Sequence, residues 1–340
     1  MNVQIMLFEG FDLLDVVAPY EVFSAANQFT EEEIDVRFVS VDGGGDVLSG
    51  INDFPFKVEG KLDASKKGIV LVPGSSGSMV DGEADSIPMK LKKASETEMG
   101  DFIRNAVNDP EMTVTSVCGG SLLIAMTGSI EGRNVVTHHM GMDLLSATGA
   151  NAVNARVVDD GDIISGAGVT SGLDLAIYVV ERELGPRIAY EVEQLFQYEK
   201  RGIVWKNEGA LPMGYNSSKR NDEELTVTET HESHPLQEEI EGTWEVTIST
   251  PIGEIDVTYE LEIKDNKLIG IAVTDGDQSE LEKTEAIGNR LKWKQQVKKP
   301  MKINLNFDVS INGTTLEGQA KAGMISSKLK GSKVFNKGAV

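Results

Sequence analysis

Residues 112–128 read MTVTSVCGGSLLIAMTG and contain Cys118, the one cysteine among 340 residues. The β-branched run before it predicts a buried strand. The apolar run after Gly119 and Gly120 predicts a helix, ended by Gly128. In a parallel α/β sheet, ligands bind beyond the carboxyl ends of the strands. A residue at a sharp strand-to-helix turn projects its side chain there, with small neighbours because the crowded backbone leaves no room for larger ones. The amides opening the following helix favour thiolate over thiol, so Cys118 is expected to titrate below the free-thiol value of about 8.5. A lone free cysteine is otherwise often a small buried apolar residue. The strand–Cys–Gly–Gly–helix order is what favours a nucleophile.

Outward from this turn, strand and helix patterns alternate as far as residue 206. NVQIMLF, DVRFVSVD, GIVLVPG and the runs near NVVTH and ARVVDDGDIISG read as strands. Residues 13–28 place Leu14, Val17, Val22 and Phe23 roughly on one helical face. SETEMGDFIRNAVND reads as a helix opened by a capping box of Ser95 and Glu98. TSGLDLAIYVVERELG reads as a long helix stopped at Gly185-Pro186. Such alternation with short loops predicts a parallel sheet with helices on both faces.

The texture then changes twice. Residues 207–238 are polar and turn-rich, the composition of a linker. Residues 239–338 alternate polar and apolar, with hairpin signals at Asp265-Asn266 and Asn312-Gly313. About eight strands fit, which predicts an antiparallel β-barrel or sandwich. Trp244 and Trp293 lie in these strands and read as core.

The bulk numbers narrow the function classes. A net charge of -22 argues against nucleic acid and against anionic membrane surfaces as partners. One cysteine makes no intrachain disulfide and fits a reducing compartment. No apolar run reaches the roughly 18 residues of a membrane span, and the start lacks the basic and apolar segments of a signal peptide. A cytoplasmic location is the expectation. DGGGD at 42–46 lacks the Lys-Ser/Thr of a phosphate loop. His231 and His234 have metal-ligand spacing but lie in the polar segment, so no metal site is expected.

Four blocks together resemble the PfpI/ThiJ superfamily: GFDLLDVVAPYEVFSAA, IVLVPGSSG, SVCGGSLLIAMTGSIEGRNVVTHH and GDIISGAGVTSGLDLAIYVVERELG. The resemblance covers about residues 1–200 and implies a flavodoxin-like, class I glutamine amidotransferase-like fold. LLDVVAPYEVF is most similar to the isonitrile hydratase branch, which turns an isonitrile and water into an N-substituted formamide. The resemblance implies Cys118 as nucleophile and Asp15 as the carboxylate that handles its proton. It implies backbone amides of Gly74, Ser75 and Gly119 as donors to developing negative charge. Thr137 and His138 match a Thr-His pair found near the cysteine in parts of the superfamily, with His138 as a supporting acid or base. His139 receives no role. Protease-like relatives carry histidine after the cysteine and isonitrile hydratases threonine, where this chain carries Gly119. Relatives fused to a helix-turn-helix region are regulators, a version that the β-like tail disfavours.

The expected organisation is an α/β catalytic domain over 1–206, a linker over 207–238 and a β-rich domain of unknown role over 239–338. The expected function is cysteine-dependent hydration of an isonitrile, with a small-molecule substrate, no cofactor and, by resemblance, a homodimer. The alternatives are another cysteine-dependent hydrolase of the superfamily and a non-enzymatic redox or ligand sensor. Limited proteolysis should cut first between about residues 207 and 238, leaving a folded fragment that ends near residue 206. First cuts inside 1–206, read by mass spectrometry, would remove this division.

Overall fold

The structure, a computed structural model, describes residues 1–78, 85–210, 237–250, 253–264, 267–274, 276–297, 303–322 and 325–334. Most of the expected linker, His231, His234 and the Asp265-Asn266 turn lie outside the described residues.

The hydrophobic runs of the first half form an eight-stranded sheet. Its order is Trp205–Lys206, Val157–Asp159, Ile163–Gly166, Met112–Val117, Gly68–Val72, Asn2–Met6, Asp35–Ser40, Gly60–Lys61. The central strands are continuous apolar runs because both faces are covered. Val70, Leu71 and Val72 are fully buried, each contributing about 1.5–3 kcal/mol of transfer free energy. Helices Leu13–Ala26, Ser171–Leu184 and Pro186–Phe196 pack together, and so do helices Ile87–Ser95, Glu98–Val107 and Gly120–Met126. The fold matches the sequence reading, with one local correction. The sheet is mixed, because Val157–Asp159 pairs antiparallel with Ile163–Gly166. Asp160-Gly161, with Gly161 at φ +91, turns the chain straight back instead of through a crossover.

Helix boundaries show two further differences. Helix Glu98–Val107 is capped by Thr97, whose hydroxyl accepts from Met99 N–H at 3.3 Å. Ser95 instead donates to Lys92 O and closes helix Ile87–Ser95, a helix that the charged sequence around Lys90 hid. Helix Leu13–Ala26 opens at Asp12, which accepts from Leu14 N–H at 3.0 Å.

The C-terminal region is a nine-stranded antiparallel sheet closed almost into a barrel. It runs in the order Asp277–Glu280, Lys267–Thr274, Gly253–Lys264, Gly242–Thr250, Ile325–Val334, Thr315–Ala322, Ile303–Asn312, Arg290–Val297, Glu282–Ile287. Its two ends meet where Leu281 N–H donates to Gly270 O at 3.1 Å and Thr284 Oγ1 donates to Leu268 O at 2.5 Å. Trp244, Tyr259, Trp293 and Phe307 are buried, and the rings of Trp293 and Phe307 stack at 4.8 Å. Asn312-Gly313 makes its hairpin turn, with Gly313 at φ +60. No helix among the described residues is long and apolar enough to cross a membrane.

The contact between helix Gly120–Met126 and strand Gly68–Val72 sets the position of the cysteine turn. A Cβ on Gly120 would stand 2.0 Å from Val72 O, a backbone atom that cannot step aside. Gly120→Ala should therefore destabilise the α/β unit by about 1–3 kcal/mol, the usual cost of overpacking. Chemical denaturation followed through the unit's own transition measures this, and an unchanged midpoint would mean that the helix slides freely over the strand.

Candidate functional site

Strand Met112–Val117 ends in Cys118, which stands at φ +56, the left-handed region that non-glycine residues rarely adopt. Two hydrogen bonds hold it there. Cys118 N–H donates to Gly166 O at 3.0 Å, and Thr137 Oγ1 donates to Cys118 O at 2.7 Å. Gly119 then enters the helix, and the side chain of Cys118 stays at the end of the sheet where the parallel strands finish.

Asp15 lies in the first turn of helix Leu13–Ala26 and is fully buried. Its Oδ2 accepts from Gly74 N–H at 2.8 Å, while its Oδ1 is buried with no hydrogen-bond partner. Gly74 is the point of closest convergence. A Cβ there would stand 2.6 Å from Gly119 N, 2.8 Å from Asp15 Oδ2 and 3.2 Å from Cys118 Cβ. The loop from Gly74 to Ser76 is pinned by Asp12 N–H to Gly74 O and Ser76 N–H to Gly10 O, both 3.0 Å. Ser75 Oγ donates to Gly10 O at 2.7 Å, and Ser76 Oγ donates to Asp12.

These contacts bring Cys118, Asp15, Gly74, Ser75 and Gly119 together. They also change the part Gly74 was expected to play. Its N–H is committed to Asp15, so it orients the carboxylate rather than facing a substrate. The amides of Ser75 and Gly119 remain as donors, since the bridge at Ser75 uses the bonds of its neighbours. A Cβ on Gly119 would point between Leu91 Cδ1 at 3.2 Å and Ser75 N at 3.8 Å. A side chain there would crowd Leu91, and Gly119 leaves bare backbone beside the thiol. Thr137 touches the cysteine's own carbonyl. His138 is half-buried, accepts from Met140 N–H through Nδ1 at 3.4 Å, and its ring lies 4.2 Å from that of His139 at a tilt of 43°. Burial lowers its pKa, and His139 adds to the effect.

The electrostatics overturn the expected thiolate. Burial pushes the Cys118 thiol up, and the Asp15 carboxylate pushes it further. The Gly119 N–H pulls it down and Asp12 raises it slightly. The loss of water outweighs the pull of the Gly119 N–H at the start of helix Gly120–Met126. Burial, and after it Asp12, also raises Asp15 well above the usual carboxylate range, against the pull of the Gly74 N–H. Burial thus favours the neutral form of both groups. Sequence reasoning missed Asp12, which caps the helix, binds Ser76 and acts on both titrating groups. An Asp three residues before Asp15, opening a helix, is the signal that could have found it. Among the described residues no cluster of three or more His, Cys, Asp or Glu side chains is arranged to hold a metal ion.

The sequence model of the DJ-1/PfpI family matches residues 1–182. The chain belongs to the DJ-1/PfpI family. Among curated relatives, isonitrile hydratase of Pseudomonas putida is 28% identical over 200 residues, covering 58% of this chain and 78% of that protein. The HTH-type transcriptional regulator CdhR of Pseudomonas aeruginosa is 25% identical over 56% of this chain, and protein DJ-1 homolog A of Arabidopsis thaliana 24% over 57%. The match spans only about half of each of those two proteins, 53% and 46%. Drosophila melanogaster DJ-1beta shares the fold with a TM-score of 0.50 at 19% identity, over 58% of this chain and 98% of its own. The C-terminal β-rich region lies beyond the family match.

The titration behaviour is directly measurable. Alkylation of Cys118 by iodoacetamide should keep accelerating through pH 9, because the thiol ionises above its free value. Asp15→Asn removes one of the two main causes and should move the profile to lower pH. A plateau below pH 8.5 in the unmodified protein would reverse the electrostatic account.

Proposed function

We propose that this DJ-1/PfpI protein hydrates an isonitrile to an N-substituted formamide, with Cys118 as nucleophile and Asp15 as proton carrier. One observation carries the reading. A buried carboxylate with a free oxygen, Asp15 Oδ1, lies beside the only thiol at the end of the sheet. The 28% identity to isonitrile hydratase supports the same chemistry. The C-terminal region favours it over a regulator of the CdhR kind, because beyond residue 240 the described elements are strands, not a helix-turn-helix.

The reaction is redox-neutral. The terminal isonitrile carbon takes a proton that leaves Cys118 Sγ by way of Asp15, and sulfur bonds to that carbon, giving a thioimidate. Water then adds through oxygen to the same carbon, and one of its protons reaches nitrogen. The C–S bond breaks, the second proton returns to sulfur through Asp15, and formamide leaves. A neutral thiol suits this path, since the proton it holds is the one the carbon needs. Asp15 matches the task because burial favours its protonated form, which can give a proton to carbon while it takes one from sulfur. The Ser75 and Gly119 amides face the charge that develops on the added oxygen. Gly74 keeps Asp15 Oδ2 occupied, which leaves Oδ1 to work.

The chemistry is assigned to residues 1–206, and the role of the barrel is left open by this mechanism. Turnover of a small isonitrile panel, read as formamide by mass spectrometry, tests the reading. Cys118→Ser should abolish it. Asp15→Asn should lower it by about 10²–10⁴, the usual loss for a general acid–base group, while Cys118 still alkylates. Wild-type turnover in Asp15→Asn would make the carboxylate structural only, and absence of formamide from the unmodified protein would leave the fold without this reaction.

A further inference from the structure

Strand Ile163–Gly166 and the loop that follows it touch the site at one point each. Gly166 O accepts the Cys118 N–H at 3.0 Å. Two residues on, Gly168 faces His138, and a Cβ on Gly168 would stand 3.9 Å from His138 Cδ2. Gly166 is also paired with Val157 and Val117 in the sheet, so the loop leaves directly from the residue that holds the cysteine's backbone and then borders the neighbouring histidine. Its own shape is set by Gly168 O, which accepts from Ser171 N–H at 2.7 Å and Ser171 Oγ at 2.5 Å, and by Ala167 N–H, which donates to Arg156 O at 3.0 Å.

The far end of the loop is held by a forked ion pair. Arg156 Nη2 donates to Thr170 Oγ1 at 3.0 Å, and Arg156 Nε donates to Asp174 Oδ2 at 2.6 Å. Asp174 is fully buried in helix Ser171–Leu184. It also accepts from Tyr198 Oη at 3.0 Å and from Arg201 N–H at 2.6 Å. A buried carboxylate is stable only when its oxygens are taken by donors, so this one holds its partners in a single arrangement. The guanidinium uses two different nitrogens in two directions, a geometry that a lysine ammonium does not reproduce.

We propose that Arg156, Thr170 and Asp174 are positioning residues for Cys118. Through Thr170 they fix the loop at 166–170, and through Gly166 O they hold the thiol in register with Asp15 and the Gly119 amide. The inference rests on reading Cys118 as the reacting group, but its test does not require that the substrate be an isonitrile. The electrostatic neighbours that act on the thiol, Asp15 and Asp12, are untouched by changes at 156 and 170. A shifted thiol profile in those variants reports displacement.

Thr170 is exposed, so Thr170→Val should fold with an unchanged melting temperature. In the full chain, it should change the rate of Cys118 alkylation at pH 9 by at least about threefold, the size of a half-unit displacement of the profile. Where formamide is produced, it should lower kcat on the order of 10-fold at a similar KM, as expected for a small misplacement of a reacting group. Thr170→Ser, which keeps the hydroxyl, should match wild type on both readouts, and Arg156→Lys should behave like Thr170→Val. A wild-type alkylation profile in both Thr170→Val and Arg156→Lys would overturn the proposal. So would a Thr170→Ser variant as impaired as Thr170→Val. A protein that makes no formamide yet shows the shifted profile would sink the hydratase reading and leave the positioning device standing.

Discussion

Cys118 is held in a left-handed backbone conformation, and the rest of the site is built around keeping it there. That conformation costs a side-chain-bearing residue about 1–2 kcal/mol. It persists because the backbone is clamped on both sides, at its N–H by Gly166 and at its carbonyl by Thr137. Gly120 lets the following helix press against Val72 O, which no larger residue would allow. The turn carries the cysteine to the end of the sheet, where its side chain is still buried. Asp15 from the first helix and the loop at Gly74, after strand Gly68–Val72, close over that position.

Burial explains why the thiol and the carboxylate act together. Each group in isolation would lose its proton near its ordinary value. Withdrawn from water and set side by side, each resists becoming charged while the other is charged. With both groups favouring the neutral form, a proton that Asp15 gives to carbon is replaced by the one that leaves sulfur, so the same carboxyl serves both ends of a reaction that moves protons to carbon and back to sulfur.

Much of this was legible in the sequence. The turn at Cys118 was visible because strand-forming residues, two glycines and a helical run leave few other structures. Asp15 was reachable by resemblance, and the barrel by its two-residue alternation and its Asn312-Gly313 turn. What was hidden depended on contacts between distant segments. The Gly74 amide is claimed by a carboxylate 59 residues away, which no local pattern announces. The thiol's titration went the other way because desolvation is a property of the packed site, whereas the helix start is a property of the local sequence. The reversed strand Val157–Asp159 was read as a strand but not as a reversed one, since direction is set by a two-residue turn. The closing seam of the barrel rests on Leu281 and Thr284, residues that look ordinary in isolation.

That reversed strand has an architectural result. Trp205–Lys206 runs parallel to Val157–Asp159, and so against the strand that delivers Cys118. The chain therefore quits the sheet travelling away from the thiol. Whatever is attached after residue 206 begins its course from the side of the sheet remote from the chemistry. The barrel nevertheless packs on the α/β unit, with its strands Ile303–Asn312 and Thr315–Ala322 against helix Met142–Ala147, so a region attached on the far side also borders the helix that follows His138.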